Sequence, residues 1–175
     1  MPLELIIDGY NLIRQSDSFR RLDARSLEKG REALLKRLAE YKKVRGHPIT
    51  VVFDGWGSFN PFSTDTRHKG ISVVFTGKGQ LADDWIKRKV KQLQYGAVVT
   101  SDREVGRYAE RQGVPAIASD LFESKMNAAI SGQGDEIDID EDEWEEEELV
   151  EAKKKGPARR LSKQERRRQA ILAKL

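Results

Sequence analysis

Five aspartates occupy places in this chain where they could do chemistry: Asp8 in LIIDGYNLI, Asp54 in VVFDG, Asp83 and Asp84 in LADDWI, and Asp102 in VVTSDREV. Asp8, Asp54 and Asp102 each follow a short apolar run. A carboxylate at the mouth of an apolar strand is costly unless water, a hydrogen bond or a metal ion satisfies it. Grouped carboxylates raise one another's pKa unless a cation neutralises them. An all-oxygen set suits a hard cation, Mg²⁺ or Mn²⁺, rather than zinc. Paired ions of that kind activate a water and stabilise the leaving oxygen in phosphodiester hydrolysis. Asn11 and Ser101 add neutral oxygens nearby. Each acid also has an ordinary structural reading. A strand-ending Asp commonly caps a helix or forms a turn, and Asp83 and Asp84 sit where a helix dipole favours anions without any metal.

Whether these acids meet depends on the elements that carry them. LELIID (3–8), PITVVFD (48–54), GISVVFT (70–76) and GAVVTSD (96–102) read as strands, and VPAIAS (114–119) as a weaker fifth. Helical spacing spans Ser26 to Arg45, with Gly46 as a stop, and Gln80 to Gln94. Two more helices are expected from Arg103 to Gln112 and from Asp120 to Ile130, the latter opened by a capping box of Asp120 and Glu123. Residues 55–69, rich in Gly, Pro and Ser, read as a loop. Strands apolar on both faces and separated by helices predict a three-layer α/β fold with a mainly parallel central sheet. In such a sheet, functional groups gather beyond the carboxyl ends of the strands. With these strands, all five aspartates are expected to converge on that edge.

Composition limits the function classes. There is no cysteine among 175 residues, which excludes disulfides, thiolate catalysis and cysteine-ligated zinc. Met1 to Tyr10 has no basic start or cleavage site, and no apolar run has the length of a membrane span. A cytoplasmic protein without a membrane partner is expected. No G-x-G-x-x-G follows the first strand and there is no P-loop. Charge divides the chain into three parts. Residues 1–134 are mildly basic, residues 135–151 hold 12 acids and no base, and residues 152–175 hold 10 bases and one acid. This predicts one folded domain over 1–131, an acidic linker over 132–155 and a basic tail over 156–175, in which SKQE at Ser162 opens a short helix.

The blocks IIDGYNLI, VVFDG, LADDWI and VVTSDREV, in this order and spacing, resemble the NYN-domain ribonucleases, specifically the YacP-like branch. The resemblance covers about the first 130 residues and leaves the tail outside. It implies a PIN-like (Rossmann-like) fold and metal-dependent endoribonuclease activity, with one bacterial branch linked to ribosome-associated messenger cleavage. Carried over by motif, Asp8 is the first metal ligand, Asp83 the acid at the helix start and Asp102 the acid after the fourth strand. Asp54 matches the VVFD acid, Asn11 matches the Asn of DGYN, and Asp84 matches a second acid often found beside Asp83. The resemblance thus implies Asp8, Asn11, Asp83 and Asp102 as catalytic residues, and Asp8, Asp54, Asp83, Asp84 and Asp102 as the ligand set for Mg²⁺ or Mn²⁺. After Asp102 come Arg103 and then Glu104, which leaves the fourth ligand open.

RNA is the expected partner, with the ribosome as a second. Arg14, Arg20, Arg21 and Arg25 follow the DGYN block, and Arg67, His68 and Lys69 lie in the 55–69 segment. The tail's Arg159, Arg160, Lys163, Arg166, Arg167 and Arg168 form the stronger basic footprint, whose RNA affinity would fall steeply with salt. Leu161, Ile171, Leu172 and Leu175 offer that tail an alternative, docking on a protein partner or on the body of the chain. Trp56 and Phe59 either stack on unpaired bases or cover the core. Tyr10 reads as a packing or hydrogen-bonding group rather than a nucleophile, and His47 and His68 as surface loop residues. The reading from another class is a non-catalytic RNA- or ribosome-binding adaptor. A full carboxylate set argues against it, because clustered negative charge beside RNA has no use in an adaptor.

Overall fold

Leu5, Ile6 and Ile7 are fully buried, although consecutive strand side chains point to opposite faces. The strand they form, β1 (Glu4–Asp8), must therefore be covered on both sides. In the computed structural model, which describes residues 2–55, 59–132 and 161–175, it is. The chain runs β1, α1 (Gly9–Gln15), α2 (Asp17–Asp23), α3 (Leu27–Arg45), β2 (Ile49–Phe53), β3 (Thr64–His68), β4 (Ile71–Phe75) and α4 (Ala82–Val90). It continues through β5 (Gly96–Val99), α5 (Arg103–Arg111), β6 (Ala116–Ile117) and α6 (Ser119–Ile130), and α7 (Lys163–Lys174) follows near the end.

The six strands lie in the order β3-β4-β2-β1-β5-β6, all parallel except the antiparallel β3–β4 pair. One face carries Ile6, Val52, Val74 and Val98 beneath Ile86 and Val90 of α4 and Val105 and Ala109 of α5. The other carries Leu5, Ile7, Val51 and Val99 beneath α1, α3 and α6. These are the three layers expected from the sequence. Gly46, at φ 72°, ends α3 in the left-handed conformation that favours glycine.

Two expectations need correction. The 55–69 segment is not all loop, because 64–68 forms the edge strand β3. All five of its residues are exposed, so TDTRH lacks the apolar alternation that reveals a strand. The Asp120–Glu123 capping box does not form. Helix α6 starts at Ser119 after Ala118, without a side-chain cap, and Glu123 accepts the Ser16 hydroxyl at 2.6 Å. Of the two docking alternatives that the tail's apolar residues offer, the structure shows the body of the chain. Ile171 and Leu175 are buried in the same core as β1 and α3, the Tyr41 hydroxyl donates to the Leu175 carbonyl at 3.2 Å, and Lys174 donates to the Tyr95 hydroxyl. The SKQE capping box forms as read, with Ser162 and Glu165 bonded reciprocally. The acidic run 135–151, Trp56, Arg159 and Arg160 lie outside the described residues.

Candidate active site

Strand order reverses at β1: the chain passes from it to β2 on one side and later to β5 on the other. Ligand sites of open α/β sheets form at the carboxyl end of such a switch point. Asp8 ends β1 there. It is only 8% exposed, so its carboxylate is largely removed from water. Burial raises its pKa from 3.8 to about 7, and the neighbouring charges of Asp83 and Asp54 push the same way. Two weak bonds oppose them. Asn11 N–H donates to Oδ1 at 3.4 Å and the Thr100 hydroxyl to Oδ2 at 3.4 Å.

The helices that follow the strands bring the other acids in. Asp83, in the first turn of α4, has its pKa raised by burial and then by Asp102, with Asp54 and Glu104 adding and Lys87 opposing. Asp54 accepts Ala82 N–H at 2.5 Å, capping α4 from a distant part of the chain where Leu81 itself cannot. Asp102 caps α5, its Oδ1 accepting from Glu104 N–H at 2.7 Å and Val105 N–H at 3.0 Å. Asp8, Asp54, Asp83 and Asp102 therefore share one electrostatic neighbourhood. Asp84 does not join them. It is exposed, and it faces Lys87, Arg88 and Lys91.

The structural reading of the acids thus holds for three of them, since Asp8, Asp54 and Asp102 all cap helices. Each cap uses Oδ1, and a carboxylate has a second oxygen. Glu104 is bonded to Lys87 at 2.5 Å and so is held beside Asp83 by an ion pair. The oxygen-only donor set fits a hard cation. Among the described residues, however, no three His, Asp or Glu side chains stand close enough to enclose an ion directly. The cation that suits this spacing is one that keeps several waters and takes one or two carboxylates, as Mg²⁺ does.

Asn11 is a bracket. Its Oδ1 accepts from Ser101 N–H at 2.7 Å and from the Ser119 hydroxyl at 2.8 Å, joining the ends of β1 and β5 to α6. Gly9 is required because a Cβ there would collide with the Phe53 ring. Tyr10 packs edge-on against Phe53 at 5.1 Å and its hydroxyl accepts from Arg31 at 2.8 Å, as its reading as a packing and hydrogen-bonding group anticipates. Sequence reasoning missed three residues here. Thr100 bridges Asp8 and Asp102 N–H, Lys87 holds Glu104, and Arg31 reaches Tyr10. Only the spacing of Lys87, four residues after Asp83 on one helix face, carried a signal.

The basic residues separate. Arg14 lies over the Tyr10 ring at 5.9 Å, close to the mouth. Arg20, paired with Asp17, and Arg21 are exposed on α2. Arg67 lies on the β3 edge, and Lys69, at φ 49°, lies in the turn at the amino end of β4. The tail helix also sits at the amino end of the sheet. His47 contacts the Lys174 carbonyl just before β2, and Arg167 donates to the Gln94 carbonyl just before β5. Arg166 and Arg168 are exposed on that helix. The described tail thus lies across the molecule from the carboxylates.

A three-layer fold with acids gathered at the sheet's switch point defines a PIN-like α/β protein. The model of the YacP-like NYN domain matches residues 5–171, and the chain belongs to that family. The match runs beyond the 130 residues of the motif resemblance and takes in most of α7. The chain is 33% identical over 102 residues to the uncharacterized protein YacP of Bacillus subtilis, a match spanning 56% of this chain and 59% of the relative. The crystal structure of Rae1 (YacP) from Bacillus subtilis superposes with a TM-score of 0.62 at 24% identity, covering 87% of each chain. A tryptophan-to-leucine variant of that protein gives 0.64, covering 86% of this chain and 99% of the other. Among the described residues, no helix is long and apolar enough to cross a membrane.

Proposed function

We propose that this protein is a metal-dependent endoribonuclease that hydrolyses phosphodiester bonds in cytoplasmic RNA, with ribosome-associated messenger as a substrate. The observation that supports this most directly is Asp8. It is buried at the switch point with Asp54 and Asp83 beside it, its pKa raised to about 7. Its two weak hydrogen bonds do not offset the cost of a desolvated carboxyl next to two more acids, and a bound cation would. Asp8, Asp83 and Asp102 would hold Mg²⁺ or Mn²⁺, with Asp54 reaching it directly or through water. The bound ion supplies charge neutralisation and a more acidic water. The chain's own residues do the positioning. The caps on α4 and α5 fix Asp54 and Asp102, Asn11 holds the mouth of β1 against β5, and Lys87 draws Glu104 beside Asp83.

The second reading, a non-catalytic RNA- or ribosome-binding adaptor, draws on the capping roles of Asp8, Asp54 and Asp102. Incubating structured and single-stranded RNA with the protein, with Mg²⁺, Mn²⁺ or chelator and with or without ribosomes, separates the two. An endonuclease cuts internally, only with a cation, and stops on Asp8→Asn. An adaptor binds and leaves the RNA intact under every condition.

A further inference from the structure

The acids are well described by that reading, yet the cations the sequence singled out leave the RNA path unexplained, because most of those among the described residues lie toward the amino end of the sheet. Another set lies beside it. A groove of about 410 Å³ runs between α4 and α5, lined by Gln80, Asp84, Lys87, Arg88, Lys91 and Tyr108. It opens beside the carboxylates, since Asp83 and Lys87 are one turn apart on α4. Lys87 lies 6.0 Å from the Tyr108 ring centre, with Glu104 holding its ammonium. Arg88 and Lys91 are exposed and form no ion pair among the described residues. Their positive charge outweighs the single acid of the groove wall, Asp84.

At the upper end of the groove stand two aromatic side chains that the core does not use. Phe59 is 96% exposed and Phe62 75% exposed. Their loop is anchored to the groove rim. Ser63 donates to Gln80 at 2.9 Å, Lys78 N–H donates to the Asn60 carbonyl at 2.8 Å, and Phe62 N–H donates to the Asn60 side chain at 3.0 Å. A Cβ at Gly77 would strike the Pro61 carbonyl, so the two loop segments are in close contact. Phe59 therefore does not cover the core, which leaves base stacking of its two sequence-based roles. A cationic track that ends in exposed aromatic rings matches the recognition chemistry of an unpaired strand, in which phosphates meet cations and bases stack on rings. Paired bases are stacked on one another and offer such rings no face.

We infer that the α4–α5 groove and the Phe59–Phe62 lip form the binding track for unpaired RNA. Phosphates lie along Arg88 and Lys91, and bases stack on Phe59 and Phe62. This rests on the nuclease reading for its substrate class. Its test is a binding measurement in chelator, which does not depend on cleavage. Fluorescence anisotropy of a labelled unpaired 12-nucleotide RNA and of a hairpin duplex is recorded across a salt series with the full chain.

Arg88→Ala/Lys91→Ala should weaken binding of the unpaired RNA about tenfold and make the salt slope shallower by about 1.4. Phe59→Ala/Phe62→Ala should weaken it at least about fivefold with the slope unchanged. Lys29→Ala/Lys36→Ala, an equal charge change on exposed residues of α3 in the opposite layer, should leave both unchanged. The inference is overturned if the groove variant behaves like the α3 control, if the duplex binds as tightly as the unpaired strand, or if no RNA binds. Binding that follows the expected pattern without cleavage would sink the nuclease reading and leave the track standing. Cleavage and binding by the groove and lip variants at wild-type levels would do the reverse.

Discussion

Replacing Asp8 by Asn should make the protein more stable at pH 8 while removing its activity. The native carboxyl titrates at about 7 and the unfolded one at 3.8, so between those values the folded chain holds a proton that the unfolded chain has released. Stability therefore falls as pH rises through that window and levels off above it. The full difference corresponds to about 4 kcal/mol. Asparagine caps helices as well as aspartate does, but it gives up the charge-assisted part of the bond to Asn11 N–H, about 1 kcal/mol. A net gain of about 3 kcal/mol remains at pH 8, raising Tm by about 6–12 °C for a chain of this size. At pH 5 most of the native carboxyl is protonated, and the gain shrinks below about 1 kcal/mol. Thermal unfolding of both proteins in chelator at pH 5 and pH 8 reads this directly. Added Mg²⁺ should raise the wild-type Tm more than that of the variant. A variant less stable than wild type at pH 8, or a gap that does not change with pH, refutes the desolvated-carboxylate account.

Asp102 separates capping from cleavage. Asp102→Ala should lose about 1 kcal/mol in urea unfolding because Glu104 and Val105 N–H lose their acceptor, whereas Asp102→Asn should keep that stability and still lose cleavage. Equal activity in Asp102→Asn and wild type would reduce this acid to a cap. Ile171→Ala should cost about 2–5 kcal/mol in the same urea assay, because Ile171 is fully buried in the main core. A negligible change there would show that α7 is not part of the folded domain.

The parallel strands are legible because they are apolar on both faces, and their order places the acids on one edge. What escaped was whatever lacks an apolar period or depends on distant partners. β3 is exposed at every position. α1 and α2 are short, and the Ser16 between them both ends one and caps the next. Glu123 looked like half of a capping box because nothing local shows that Ser16, 107 residues away, takes its carboxylate. At the site, Asp8 could be identified as the end of a strand, but Thr100, its partner across 92 residues, could not. The tail's charges dominate its sequence, and nothing local decides whether its apolar residues dock on a partner or on the body. Ile171 and Leu175, with Leu172 packed beside them, seat it on the core.

The central claim is that Asp8 and its neighbouring acids serve a divalent cation in cutting RNA. The most direct measurement follows single-stranded RNA on a denaturing gel with purified protein, Mg²⁺ or Mn²⁺ against chelator, and Asp8→Asn in parallel. Internal cleavage that needs the cation and disappears in a folded Asp8→Asn protein is the predicted result. Equal cleavage by Asp8→Asn and wild type, or cleavage undiminished in chelator, would contradict it.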